Sequence, residues 1–178
     1  DKDKYACMTY RHNFPHVPLV EGNIREVDKA SIPDFDILAA GFPCQPFSVC
    51  GKQKGFSDPR GNVFFEIGKT IDAKHPSVVF LENVANLTAH DGGRTFNVIH
   101  KELAGRNYFL RYLVADVCEY ADIPQHRTRT YLVAFRDEEQ CRRFAFPDKK
   151  PLTRRITDVI DTTQKADESF YLHPGEYG

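Results

Sequence analysis

Three short segments carry the residue types that could do chemistry. In Gly41-Phe42-Pro43-Cys44-Gln45-Pro46-Phe47-Ser48, a cysteine directly follows a proline, where the apolar run Asp36-Ile37-Leu38-Ala39-Ala40 gives way to a loop. Proline fixes its own φ and biases the residue before it towards extended geometry, so the approach to Cys44 is stiff. A thiol held there is an available nucleophile, although a lone cysteine reads more readily as a small buried core residue. In Glu82-Asn83-Val84, a carboxylate ends the apolar run Val78-Val79-Phe80-Leu81. Partial burial at such a place raises a carboxyl pKa and lets the group share or donate a proton near neutral pH. Taken alone, Glu82 is more simply a cap or loop carboxylate. In Gln125-His126-Arg127-Thr128-Arg129, two arginines alternate along an extended stretch and project to one face. Their planar forks suit a phosphate or a base carbonyl, while in isolation such a pair is a solvated face.

The elements that must position these groups alternate between helix and strand. The pattern predicts a helix over 1–13 with Tyr5, Met8 and His12 on one face, and a strand over 36–40. A long loop over 41–61 follows, rich in Gly, Pro and Ser and carrying Lys52, Lys54 and Arg60; loops of that length in a compact domain are usually functional. A helix over 62–74 leads to a strand of the buried type over 78–81 that runs into Glu82. A second helix covers 94–105, and strands lie near 108–117 and 130–135. With no helix between them, the last two strands are expected to be antiparallel neighbours. Ligands of open α/β sheets sit outside the carboxyl ends of the strands, so Cys44 and Glu82 are expected at one sheet edge. From Pro147 onward the chain is polar and charged and reads as a linker with one short helix at about 155–161.

Composition narrows the function classes. The 178 residues fit one domain with a real core. A net charge of -1 does not advertise a nucleic-acid partner, but leaves room for a local basic surface. The five cysteines form no C-x-x-C pair and no familiar zinc spacing, so no metal is expected. Their odd number and the lack of a secretory leader point to a reducing cytosolic compartment. No apolar run approaches the length of a membrane span.

In order and in residue type, the three segments resemble the DNA cytosine-5 methyltransferases. Gly41–Ser48 matches that family's Pro-Cys-Gln motif, Glu82–Val84 its Glu-Asn-Val motif and Gln125–Arg129 its Gln-x-Arg-x-Arg motif. Gly51-Lys52-Gln53-Lys54-Gly55-Phe56 and the following Arg60–Phe65 resemble its mobile active-site loop, and the resemblance covers roughly residues 1–160. It implies a Rossmann-like S-adenosylmethionine-dependent α/β sheet with an antiparallel strand pair on its C-terminal side, a partial catalytic core over 1–147 and a linker over 148–178.

The resemblance also assigns roles. Cys44 would add to C6 of a flipped-out cytosine, Glu82 would engage N3 and the amine side, Arg129 the carbonyl O2, and Arg127 would brace Glu82 or a phosphate. Asp1, Asn23, Ile24, Pro43 and Val63 would line S-adenosylmethionine, with Asn23 standing where the family normally has Asp. Phe42, Ser48, Lys52, Lys54, Asn83 and Gln125 would contact or support DNA, while Cys7, Cys50, Cys118 and Cys141 would be core or incidental thiols. The family's glycine-rich cofactor segment, which supplies a central strand, is expected ahead of Asp1, and its target-recognition domain beyond Tyr171–Gly178. The strand at 36–40 should then present an unpaired apolar edge. The implied enzyme is a bacterial, cytoplasmic, monomeric restriction-modification methyltransferase acting on double-stranded DNA, with a cognate endonuclease as a possible partner. Two alternatives share these residues: the same chemistry on tRNA, and a non-catalytic half that needs a second chain.

Overall fold

Among the described residues, the strand that carries Glu82 is one of the two inner strands of a four-stranded mixed sheet. The computed structural model describes residues 1–43, 63–161, 163–165 and 167–171. Cys44, Ser48, Lys52, Lys54 and Cys50 lie outside the described residues. The elements run α1 (Lys4–Asn13), β1 (Ile37–Gly41), α2 (Val63–Lys74), β2 (Val78–Val84), α3 (Arg94–Ala104), β3 (Phe109–Asp116), β4 (Thr128–Phe135) and α4 (Glu138–Arg143), with sheet order β1-β2-β4-β3. β1 and β2 pair in parallel with Gly41 opposite Glu82; β2 and β4 pair antiparallel with Val84 opposite Arg129. β3 and β4 are hydrogen-bonded neighbours. Among the described residues β1 is an edge strand, and its Ile37 is 63% exposed.

The physical basis of the two faces is the period of two along β2. Val79, Leu81 and Asn83 are buried, and the core joins Val79 and Leu81 to Ile67 and Ile71 of α2, Ile99 and Leu103 of α3 and Leu132 of β4. The other face carries Phe80, Glu82 and Val84, with Phe80 and Val84 exposed. The continuous apolar run at 78–81 therefore does not mark a strand buried on both sides, as its composition suggests. Phe80 instead stacks on Tyr131 of β4, with ring centroids 6.0 Å apart and planes 13° apart. α2 and α3 are locked together by Arg106, which bonds Asp72 at 2.8 and 3.1 Å and Glu102 at 2.7 Å.

Several boundaries move from their sequence expectations. α1 starts at Lys4, because Asp3 caps it by accepting from the Ala6 amide at 2.8 Å. The residue it buries is Cys7, while Tyr5 and Met8 are exposed. β4 begins at Thr128, two residues earlier than its apolar pattern suggests, since ladder pairing with Val84 draws Arg129 into the sheet. The helix expected at 155–161 is a single 3-10 turn, Ile156–Asp158, closed by the Asp158 carboxylate on the Arg155 amide. Among the described residues, no helix is long and apolar enough to cross a membrane.

The chain divides into two units. The first comprises Asp1–Ala115 and Thr128–Phe146, and holds the sheet and the helices. The second joins Asp116–Arg127 to Pro147–Gly178. Within it, Lys149 pairs with Glu119 at 2.8 Å and the Lys150 amide donates to the Glu119 carbonyl at 2.7 Å. The Asp122 carboxylate accepts from the Thr153 amide and hydroxyl at 2.6 and 2.7 Å and from the Arg154 amide at 3.1 Å.

Candidate active site

β1 and β2 end side by side, and their last residues build the site. A methyl group placed on Gly41 would lie 3.6 Å from Glu82 Oε2, so the carboxylate sits directly over the backbone that leads to Pro43 and Cys44. Glu82 Oε1 is 3.0 Å from Arg129 Nε, and both side chains are partly exposed. The Arg129 Nη1 donates to the Thr128 carbonyl at 2.8 Å, which fixes the plane of the fork. Period-two alternation puts Glu82 and Arg129 on the face opposite the core, the face that also carries Phe80 and Tyr131.

The neighbouring residue works inward. Asn83 is 2% exposed; its Nδ2 donates to the Phe42 carbonyl at 2.8 Å and its Oδ1 accepts from the Val84 amide at 2.8 Å. A buried amide that satisfies two backbone groups makes a rigid tie between the end of β2 and the segment after β1. The Phe42 ring is buried against Phe64 of α2, with centroids 5.2 Å apart. Thr130, fully buried, closes the other end of this arrangement by donating to the Val84 and Ala85 carbonyls at 3.0 and 3.2 Å.

Residues 1 and 20–29 form a second cluster. The Asp1 nitrogen donates to the Val20 carbonyl at 3.0 Å, and the Gly22 amide donates to the Asp1 carbonyl at 2.7 Å. These bonds bring Asp1 beside the turn holding Asn23 and Ile24. Lys29 secures that turn to α2: its Nζ donates to the Ile24 and Val27 carbonyls and pairs with Glu66 Oε2 at 3.1 Å. Burial works to raise the Glu66 pKa, but Lys69 and Lys29 outweigh it and hold the carboxyl below its ordinary value.

In the second unit, Asp116 is a hub. Its Oδ1 accepts from the Arg127 and Cys118 amides at 2.9 and 3.3 Å, and its Oδ2 meets His126 Nδ1 at 3.0 Å. Hydrogen bonds from His126 and then from the Arg127 amide hold this carboxyl well below the usual range. Cys118 Sγ lies 3.4 Å from the same ring nitrogen, and burial, followed by Asp116, pushes its thiol pKa up.

A family model, C-5 cytosine-specific DNA methylase, matches residues 1–175. The chain belongs to that family. It is 45% identical to the type II methyltransferase M.Bsp6I of Bacillus sp. (strain RFL6) over 170 residues, covering 95% of this chain and 54% of that protein. It is 43% identical to the type II methyltransferase M.HhaI of Haemophilus parahaemolyticus over 158 residues, covering 89% of this chain and 47% of that one. The chain thus spans about half the length of the curated relatives it matches. Among solved structures, the Entamoeba histolytica methyltransferase EhMeth aligns with a TM-score of 0.68 at 21% identity, over 97% of this chain and 53% of that one. A DNMT2 of Spodoptera frugiperda gives 0.64 at 23% identity, over 96% and 53%. These likenesses show the fold: a partial Rossmann-like methyltransferase sheet.

In this chain the structure brings together Glu82, Arg129 and Asn83 with Phe42 and Gly41. Pro43 is exposed and Val63, the first residue of α2, is half-buried. Arg127 and Gln125 are exposed residues of the second unit. The residues expected along the cofactor, Asp1, Asn23 and Ile24, carry groups that could hold the adenosine end of a nucleoside cofactor, although Asp1 Oδ1 and Asn23 Oδ1 already accept from the Asp3 and Arg25 amides at 2.9 and 3.2 Å. An exposed carboxylate suits ribose hydroxyls, the 40%-exposed Ile24 offers an aliphatic face for a ring, and the Asn23 amide can meet an amino group. Lys29, Glu66, Thr130 and the Asp116–Cys118–His126 cluster were not singled out by sequence. Lys29 acts through carbonyls and a helix two elements away, which no spacing rule encodes. The intervals between 116, 118 and 126 match no familiar ligand pattern.

Proposed function

We propose that this chain is the catalytic part of a restriction-modification enzyme that methylates C5 of cytosine in double-stranded DNA. The observation that carries this reading is the Glu82–Arg129 pair, 3.0 Å long and set over Gly41, three residues before Cys44 in sequence. The family match and the type II names of the relatives support DNA as the substrate, rather than tRNA, and a bacterial cytoplasmic setting with a cognate endonuclease.

Each residue then has a task. The Cys44 thiolate adds to C6 of a cytosine flipped out of the stack, because the ring atoms cannot be reached inside a duplex. Glu82 holds a proton at N3 and accepts from the exocyclic amine, which stabilises the electron pair pushed onto C5 as sulfur adds. Arg129 fixes the Glu82 carboxylate and presents a donor to O2. Asn83 holds the Phe42 carbonyl, two residues before Cys44 in sequence, to the end of β2. Arg127, Ser48, Lys52 and Lys54 meet the phosphates, and Gln125 supports the turn before β4. S-adenosylmethionine, when bound along Asp1, Asn23, Ile24, Pro43 and Val63, supplies an electrophilic methyl group to C5. Loss of the C5 proton and departure of Cys44 then restore the aromatic ring.

The test is covalent trapping on the intact protein. Duplex DNA with 5-fluorocytosine at the target position, given S-adenosylmethionine, should form a stable adduct through Cys44, since fluorine cannot leave as the C5 proton does. Peptide mapping that places the adduct on Cys7, Cys50, Cys118 or Cys141 would overturn the assignment, as would an adduct surviving Cys44→Ala.

A further inference from the structure

The Asp116–Cys118–His126 cluster lies wholly in the second unit and has no task in the proposed reaction. A thiol, an imidazole and a carboxylate converge there, with the three ligand atoms all within 4.8 Å of one another. Cys118 Sγ and His126 Nδ1 are 3.4 Å apart, and His126 Nδ1 and Asp116 Oδ2 are 3.0 Å apart. Around a tetrahedral zinc ion, bonds of about 2.0 Å to N and O and about 2.3 Å to S separate neighbouring ligand atoms by about 3.3–3.5 Å. The Sγ–Nδ1 and Nδ1–Oδ2 separations are therefore within a few tenths of an ångström of those around a zinc ion, and the third ligand pair lies within 4.8 Å.

The surroundings favour occupancy. Asp116 uses its other oxygen for the Arg127 and Cys118 amides, which fixes the carboxylate as outer hydrogen bonds fix ligands at metal sites. Cys118 is buried, whereas His126 is 86% exposed in its side chain. One side is thus closed by protein and the other is open to an ion and a coordinated water. Sulfur with imidazole selects a borderline-soft cation over Mg²⁺ or Ca²⁺.

We propose that Asp116, Cys118 and His126 form a binding site for a divalent cation of the zinc class, which staples the turn immediately before Gln125 and Arg127. On binding, the Cys118 thiol proton leaves to solvent, and His126 coordinates through Nδ1 with its ring proton on Nε2. Nothing is oxidised or reduced.

The experiment is a titration of the reduced, metal-free intact protein with Co²⁺, followed by displacement with Zn²⁺. One equivalent of Co²⁺ should produce a thiolate-to-cobalt charge-transfer band that Zn²⁺ abolishes and Mg²⁺ leaves unchanged. His126→Ala, at a surface position that leaves folding intact by far-ultraviolet circular dichroism, should weaken Co²⁺ binding at least tenfold, and Cys118→Ser should remove the band. Cys44→Ala should keep it. A native protein with no band, or a band that persists in His126→Ala and Cys118→Ser or vanishes in Cys44→Ala, would overturn the site.

Discussion

Glu82 and Arg129 are diagonal partners across the β2–β4 ladder: Glu82 stands opposite Tyr131 and Arg129 opposite Val84, and their side chains meet at 3.0 Å. Diagonal neighbours on one face of an antiparallel pair lie within reach of long side chains. The carboxylate is therefore aimed by the sheet itself, before any substrate arrives. This predicts separable effects. Glu82→Gln should lower single-turnover methylation by about 10²-fold, in the range for loss of a positioned proton-transfer group. DNA affinity in a binding assay should change little. Arg129→Lys retains the charge but not the planar fork, so it too should slow the chemical step. Combining the two should cost less than the product of the single losses, and a fully multiplicative result would mean the residues act independently.

How much of this was legible beforehand depends on the range over which each residue acts. The Cys44, Glu82 and Arg129 assignments rest on local motifs at strand ends, and strand ends follow from hydrophobic runs. The meeting of Glu82 with Arg129 was not legible, because it depends on β4 starting at Thr128, a register choice made by β2. Apolarity misled at Phe80, which faces away from the core yet reads as core, and at Tyr5 and Met8, which are exposed while Cys7 is buried. The largely buried Lys29–Glu66 pair was not legible because charged residues read as surface unless their partner is known.

Asn83 ties two strand ends through one side chain. Asn83→Ala should leave the Phe42 carbonyl without its amide donor in a buried place, at a cost of about 1–3 kcal/mol. Urea unfolding would measure it. Asn83→Asp keeps the size and the acceptor but removes the donor, so it should be no better. If the tie also sets the Cys44 segment, both variants should trap 5-fluorocytosine more slowly at temperatures where they remain folded.

Glu66 gives the fold an acid-sensitive joint. Its folded-state pKa lies below the ordinary 4.5, so the unfolded chain takes up a proton first as pH falls. Its contribution is complete above that ordinary value and is lost as pH drops through the lower folded value. Thermal melts should show wild type losing more stability than Glu66→Gln between neutral pH and pH below 4.5. At neutral pH, Glu66→Ala leaves the largely buried Lys29 with, among the described residues, only the Ile24 and Val27 carbonyls and should cost about 1–3 kcal/mol. Because Lys29 also holds the Ile24 and Val27 carbonyls, S-adenosylmethionine affinity should fall with it.

Asp122 fastens the polar segment after Pro147 within the second unit. Its carboxylate gathers the Thr153 amide, the Thr153 hydroxyl and the Arg154 amide, and these bonds hold its pKa below the usual aspartate value. Its backbone is left-handed, at φ 51°, a conformation that Asp and Asn tolerate better than Ala. Asp122→Ala therefore loses both the acceptor and the conformational preference. Trypsin should cut this variant faster after Lys149, Arg154 and Arg155, all in the stretch that the carboxylate anchors, while the Lys150–Pro151 bond resists it in every variant. Asp122→Asn keeps one acceptor oxygen and the left-handed preference, so its cleavage rate should fall between the two. The core around Leu81 and Ile99 does not use this clamp, so the main thermal transition should stay in place. Equal cleavage of Asp122→Ala and wild type would show that the segment is held by other contacts.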